Sequence, residues 1–111
     1  DGKYYMLSSG CTGWDPNRAE LAVADSIMGE WTVLGDPCTG PDAEKTFYGQ
    51  STYVIPVQGK KDAYIACFDM WKKKDLQDSR YIWLPMMWDK AAGKFSIPWH
   101  AEWNLSVFDK K

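Results

Sequence analysis

The stretch Arg80–Trp88, RYIWLPMMW, restricts what this chain can fold into more than any other segment. Read as a strand, it puts Tyr81, Trp83, Pro85 and Met87 on one face and Ile82, Leu84, Met86 and Trp88 on the other. Ser51–Val57, STYVIPV, behaves the same way, with Tyr53, Ile55 and Val57 opposite Thr52, Val54 and Pro56. A strand that is apolar on both faces must be covered on both sides. A lone sheet with one wet face is therefore excluded, and the chain needs stacked sheets.

The rest of the sequence supplies short strands between turn signals, the pattern of an all-β protein. Strands are expected at Lys3–Ser9, Ala19–Asp25, Glu30–Leu34, Ser51–Val57, Asp62–Phe68, Arg80–Trp88 and Lys94–Trp99. QGKK and KAAGK read as hairpin turns, DSIMGEW as the place for one short helical turn, and GDPCTGPDAEKTFYGQ as a long loop. GKYYMLSS and GKKDAYIACF form a near-repeat: a tight turn, an aromatic-rich strand, a long loop and the next strand. Such spacing suits the blades of a β-propeller, each a four-stranded antiparallel meander. Residues 50–100 then hold a complete blade. Residues 1–35 hold a blade without its inner strand, 36–49 are the inter-blade loop, and 101–111 are a C-terminal tail. A propeller closes with four or more blades, so the chain is expected to be part of a larger one.

A meander alternates strand direction, which gathers three loops at one end: SGCTGWDPN, GDPCTGPDAEKTFYGQ and DMWKKKDLQDS. They carry Trp14 and Trp71, and Gln50 opens the inner strand that lines the axis. Long loops gathered on a rigid scaffold suit a binding face. Aromatics make up 15% of the 111 residues. They serve either as core filling or as flat platforms for the C–H faces of sugars.

The mixed charge, 13 basic and 15 acidic residues, leaves no basic stripe for nucleic acid. No apolar run approaches the roughly 20 residues of a membrane span. A single histidine, His100, allows no Cys/His zinc spacing, and no cofactor motif is present; His100 reads as a framework residue. Cys67 lies in an apolar run and reads as a buried thiol. Cys11 and Cys38 both lie in Gly/Pro-rich loops, and spacing leaves their pairing as a disulfide open. Arg80 is expected to pair with Asp78, and the run KKKD at 72–75 to be a solvated loop tip.

The segments DGKYYMLSSGCTGWDPN, TFYGQSTYVIPV and DSRYIWLPMMWD…EWNLS resemble the five-bladed β-propeller glycosidases of glycoside hydrolase family 43, in the galactan 1,3-β-galactosidase branch. The resemblance implies the last two blades of such a propeller, the first of them incomplete. It implies an inverting hydrolase acting on β-1,3-galactan or related galactosides, secreted or periplasmic. Inversion needs an acid for the leaving oxygen and a group that activates water. The resemblance places the general-acid glutamate before residue 1, which would leave this chain inactive alone. It places the attacking water at Gln50 and a sugar contact at Thr12; Gly13 and Trp14 lie beside Thr12 as further candidate substrate-binding residues, with Trp71 on the same face. On the residues alone, the Thr12 hydroxyl either braces its turn or meets a sugar. Trp14 either packs on Pro16 or stacks on a ligand. A non-catalytic carbohydrate-binding or interaction domain is the other reading, with self-association through exposed blade surfaces.

Overall fold

The computed structural model describes residues 2–109. The fold is all-β. Strands β1 (Tyr4–Ser9), β2 (Ala19–Ala24) and β3 (Thr32–Gly35) form one antiparallel sheet in the order β1-β2-β3. Strands β4 (Cys38–Thr39), β5 (Gln50–Pro56), β6 (Ala63–Met70), β7 (Arg80–Asp89) and β8 (Lys94–Pro98) form the second, in the order β4-β8-β7-β6-β5.

The tight turns form where the sequence puts them. At QGKK, Val57 N–H donates to Ala63 O (2.9 Å). At KAAGK, Gly93 N–H donates to Asp89 O (2.8 Å). DSIMGEW forms a turn closed by Gly29 N–H to Ser26 O (2.9 Å), rather than the helical turn expected. The 101–111 tail holds a 3₁₀ segment at Leu105–Asp109. Nearby, Trp103 donates its indole N–H to Trp83 O (2.8 Å).

The main departure lies in residues 36–49, expected to be plain loop. Cys38 and Thr39 pair in parallel with Ile97 and Pro98, adding a fifth strand outside the predicted four. Ile97 N–H donates to Pro37 O (2.7 Å) and Trp99 N–H to Thr39 O (2.9 Å). Gly40 permits this approach: its φ is +115°, and a Cβ there would sit 2.8 Å from Cβ of Trp99. The chain then crosses through a 3₁₀ segment at Ala43–Tyr48 to the opposite edge of the sheet, where β5 begins.

The two sheets stack on one core. Ala19 and Leu21 of β2 meet Ala66, Phe68, Leu84, Met86 and Ile97, with Cys38 and Phe47 closing one side. Tyr5, Tyr64, Trp88 and Phe95 line a cavity of about 330 Å³ between the sheets. The Tyr5 ring meets Phe95 edge-on, with centroids 5.1 Å apart. The outer face of the second sheet is a different case. The ladder aligns Tyr53, Cys67 and Trp83 in one row. Tyr81 is 75% exposed, Tyr53 68% and Trp83 54%. The double-sided apolar pattern is thus met by packing on one face, while large aromatics stay open on the other.

Candidate functional site

The loop between β1 and β2, residues 10–18, is built by Asn17. Its side-chain oxygen accepts from Gly10 N–H (2.8 Å), and its amide nitrogen donates to Gly10 O (2.7 Å). The same nitrogen donates to the Thr12 hydroxyl, which itself donates to Asp15 O (2.6 Å). Thr12 therefore braces its own turn, and its exposed oxygen keeps one acceptor position for a further partner. Gly13 and Trp14 project at the tip.

Gln50 reaches this loop from the start of β5. Its side-chain Nε2 donates to Gly13 O at 2.5 Å and, more weakly, to Asp15 O at 3.4 Å. Both neighbours are carbonyls, so the amide must turn its NH2 toward them and leave Oε1 free to accept. The structure thus joins two of the three loops that the meander places at one end.

The third loop arrives through Trp71. Its ring meets Trp14 edge-to-face, with centroids 4.5 Å apart and planes at 84°. The aromatic partner of Trp14 is Trp71, and Trp14 stays 50% exposed, beside Trp71 at 41%. The KKKD run is an exposed loop tip, as expected, and two of its lysines form ion pairs. Lys73 pairs with Asp15, and Lys72 with Asp78. Arg80 pairs with Asp78 at 2.6 Å, as the sequence leads one to expect. The Lys72 hydrogen bond chiefly, with the charges of Arg80 and Lys72, holds the Asp78 carboxyl below its ordinary range.

Gln50, Thr12, Gly13, Trp14 and Trp71 therefore fall into one cluster. The sequence did not single out Asn17, which organises the loop, or Lys73, which ties it to the third loop. The Gly10–Thr12 turn needs a side chain offering a donor and an acceptor at fixed spacing, and an Asn in a Gly-rich turn is the only signal of that. Asp69 was likewise unmarked; the register places it directly across from Gln50. Among the described residues no group of three or more His, Cys, Asp or Glu is placed to hold a metal ion. No helix among them is long and apolar enough to cross a membrane.

All three cysteines are free thiols, so the open Cys11–Cys38 pairing is not made. Cys11 is exposed in the loop, whereas Cys38 is in the core and burial, with Asp36 beside it, pushes its thiol up to about 12. Cys67 is buried, as expected, and its thiol is also raised, first by burial and then by Asp69.

Comparison with solved structures gives high likeness. A family 43 β-1,3-galactosidase solved with galactodeoxynojirimycin is 52% identical, with a TM-score of 0.88 over 95% of this chain and 30% of its own. A second family 43 β-1,3-galactosidase is 37% identical, with a TM-score of 0.90 over 97% of this chain and 22% of its own. An exo-β-1,3-galactanase from Phanerochaete chrysosporium, solved with β-1,3-galactotriose, is 32% identical, with a TM-score of 0.73 over 87% of this chain and 21% of its own. The chain thus spans less than a third of the length of these proteins. No protein-family model and no curated protein matches it.

Proposed function

In sequence and in backbone this chain matches the β-1,3-galactosidases of glycoside hydrolase family 43 over most of its length, and from that premise we propose that it supplies the water-positioning side of an inverting exo-β-1,3-galactanase. The observation that carries this reading is the hydrogen bond from Gln50 Nε2 to Gly13 O, which ties the expected water-holding residue to the expected sugar-binding loop.

In this reading the Gln50 Oε1 accepts a hydrogen bond from the attacking water and fixes its lone pair on the anomeric carbon. Nε2 lies against two carbonyls, closely at Gly13 O and at the limit of a hydrogen bond at Asp15 O. As an ordinary amide Gln50 orients the water, and the proton the water loses on attack passes to solvent. Placement of a reactant is itself worth several orders of magnitude in rate. Trp14 offers ring surface to the sugar's C–H face, braced at right angles by Trp71, while Thr12 and the Gly13 backbone contact its hydroxyls.

In this reading the general acid is a glutamate upstream of residue 1. Residues 1–35 and 50–100 act as two blades of a five-bladed propeller, the first without its inner strand. Residues 36–49 link them and 101–111 form the tail. The ligand is a β-1,3-linked galactan, met outside the cell or in a periplasm. The open aromatics of the second sheet support self-association when the chain is isolated.

Two measurements test this. The isolated 111-residue chain should leave β-1,3-galactobiose unhydrolysed, and clear turnover by it would sink the proposal. In the enzyme that carries this chain, Gln50→Ala should lower kcat about a hundredfold with a much smaller change in KM. An unchanged kcat would remove Gln50 from the reaction.

A further inference from the structure

Four residues before Gln50 the backbone does something costly. Thr46, Phe47 and Tyr48 all adopt left-handed conformations, with φ of 52°, 54° and 64°. For residues with a Cβ this region is sparsely populated, most of all for a β-branched threonine. Three in a row persist only where surrounding contacts over-determine them.

Those contacts are specific. Phe47 is buried and tilts against the Trp99 ring, with centroids 5.2 Å apart. Gly49 N–H donates to Thr46 O (2.8 Å), and a Cβ on Gly49 would lie 2.9 Å from Cβ of Phe68. Thr46 is 1% exposed, and its hydroxyl donates to the backbone O of Asn17 at 2.6 Å. Asn17 is the residue that builds the sugar-side loop.

These bonds close a circuit. Gln50 bonds to Gly13 O and Asp15 O, Thr12 bonds to Asp15 O, and Asn17 bonds to Thr12. Thr46 then bonds to Asn17 O, and the left-handed backbone returns to Gln50. The loop is held to the start of β5 at two points, one half-buried (Gln50) and one fully buried (Thr46). Without the fully buried point, the loop would be held only by the Gln50 amide, whose hydrogen bond is open to water.

We infer that Thr46 is a positioning residue for Gln50: its buried hydroxyl locks the left-handed turn to the Asn17 carbonyl and so fixes where the Gln50 amide points. This rests on the proposed role of Gln50 but concerns a different residue and a different bond. Thr46 touches no substrate in this scheme.

The test compares Thr46→Val, which keeps shape and loses the hydroxyl, with Thr46→Ser, which keeps the hydroxyl and loses the methyl. In the isolated chain, the Gln50 side-chain NH2 protons give the direct readout by NMR. Wild type and Thr46→Ser should show two dispersed, slowly exchanging signals. Thr46→Val should bring them to the position of a solvated glutamine. In the enzyme that carries this chain, Thr46→Val should lower kcat for β-1,3-galactobiose on the order of ten- to a hundredfold with KM little changed, and Thr46→Ser should restore most of it. Unchanged Gln50 signals in folded Thr46→Val would overturn the inference. If Thr46→Val does not fold, loss of the dispersed Gln50 signals in folded Thr46→Ser would overturn it too, since the methyl and not the hydroxyl would then hold the turn. Full sensitivity of kcat to Gln50→Ala with none to Thr46→Val sinks this inference alone. Insensitivity to Gln50→Ala sinks the functional reading beneath it.

Discussion

At the scale of single residues, environment separates side chains of the same type. Cys11 stands in solvent, while Cys38 and Cys67 are buried with their thiols held protonated by desolvation. The thiolate is the reactive form. A thiol reagent at pH 8 should modify one cysteine of the native chain quickly and the other two only on unfolding; rapid reaction of all three would contradict the core placement of Cys38. The sign for stability follows. An unfolded Cys38 ionises from about 9, the folded one only near 12, so the native state is weakened as pH rises above 9. Asp78 behaves oppositely. Its carboxyl is depressed by Lys72 and Arg80, so its ion pairs persist below the ordinary 3.8 and are lost as pH falls through the depressed value. An acid titration followed by NMR of residues 71–80 should show the loop's transition below 3.8, and a midpoint at or above it would count against the pairing.

At the scale of elements, the consecutive hairpins were readable because their partners are neighbours in sequence and their turns carry Gly, Lys and Asp. The cluster of Gln50 with Thr12, Gly13, Trp14 and Trp71 was readable for the same reason: alternating strands leave the loops little choice of end. Strand β4 was not readable. It has two residues, and its partner lies at the far end of the second sheet. Nor was the turn at 46–48, because Thr, Phe and Tyr are poor signals for a left-handed backbone, and only the fit of Phe47 and Thr46 into their sites keeps them there. The dependence of β4 on Gly40 is open to test. Gly40→Ala forces φ near +115° on a residue with a Cβ and drives that Cβ into Trp99. It should cost about 1–3 kcal/mol, read as a lower urea midpoint. An unchanged midpoint would mean that β4 contributes nothing.

At the scale of the whole molecule, the two sheets bury one shared face and leave two different outer faces. One presents Tyr53, Tyr81 and Trp83; the other presents Tyr4, Met6 and Val33. Because the two outer surfaces are unlike, association between copies through them would be head-to-tail rather than self-matching. Sedimentation of the isolated chain should reveal species above its 12.7 kDa, growing with concentration. The double change Tyr81→Lys and Trp83→Lys should return it to monomer. A single 12.7 kDa boundary at every concentration would show that these aromatics are inert in the isolated chain.

The parallel pairing of β4 with β8 also sets an order of events. A ribosome delivers Cys38 and Thr39 long before Ile97 and Pro98, with nearly the whole second sheet still to come. Until β8 emerges, the segment from Gly40 to Gly49 has one end unanchored, and the left-handed turn at its other end lacks Trp99 against Phe47. The piece of the chain that aims Gln50 is therefore among the last to be finished. Chains released before Ile97 would carry every residue of the candidate site and still not hold it in shape.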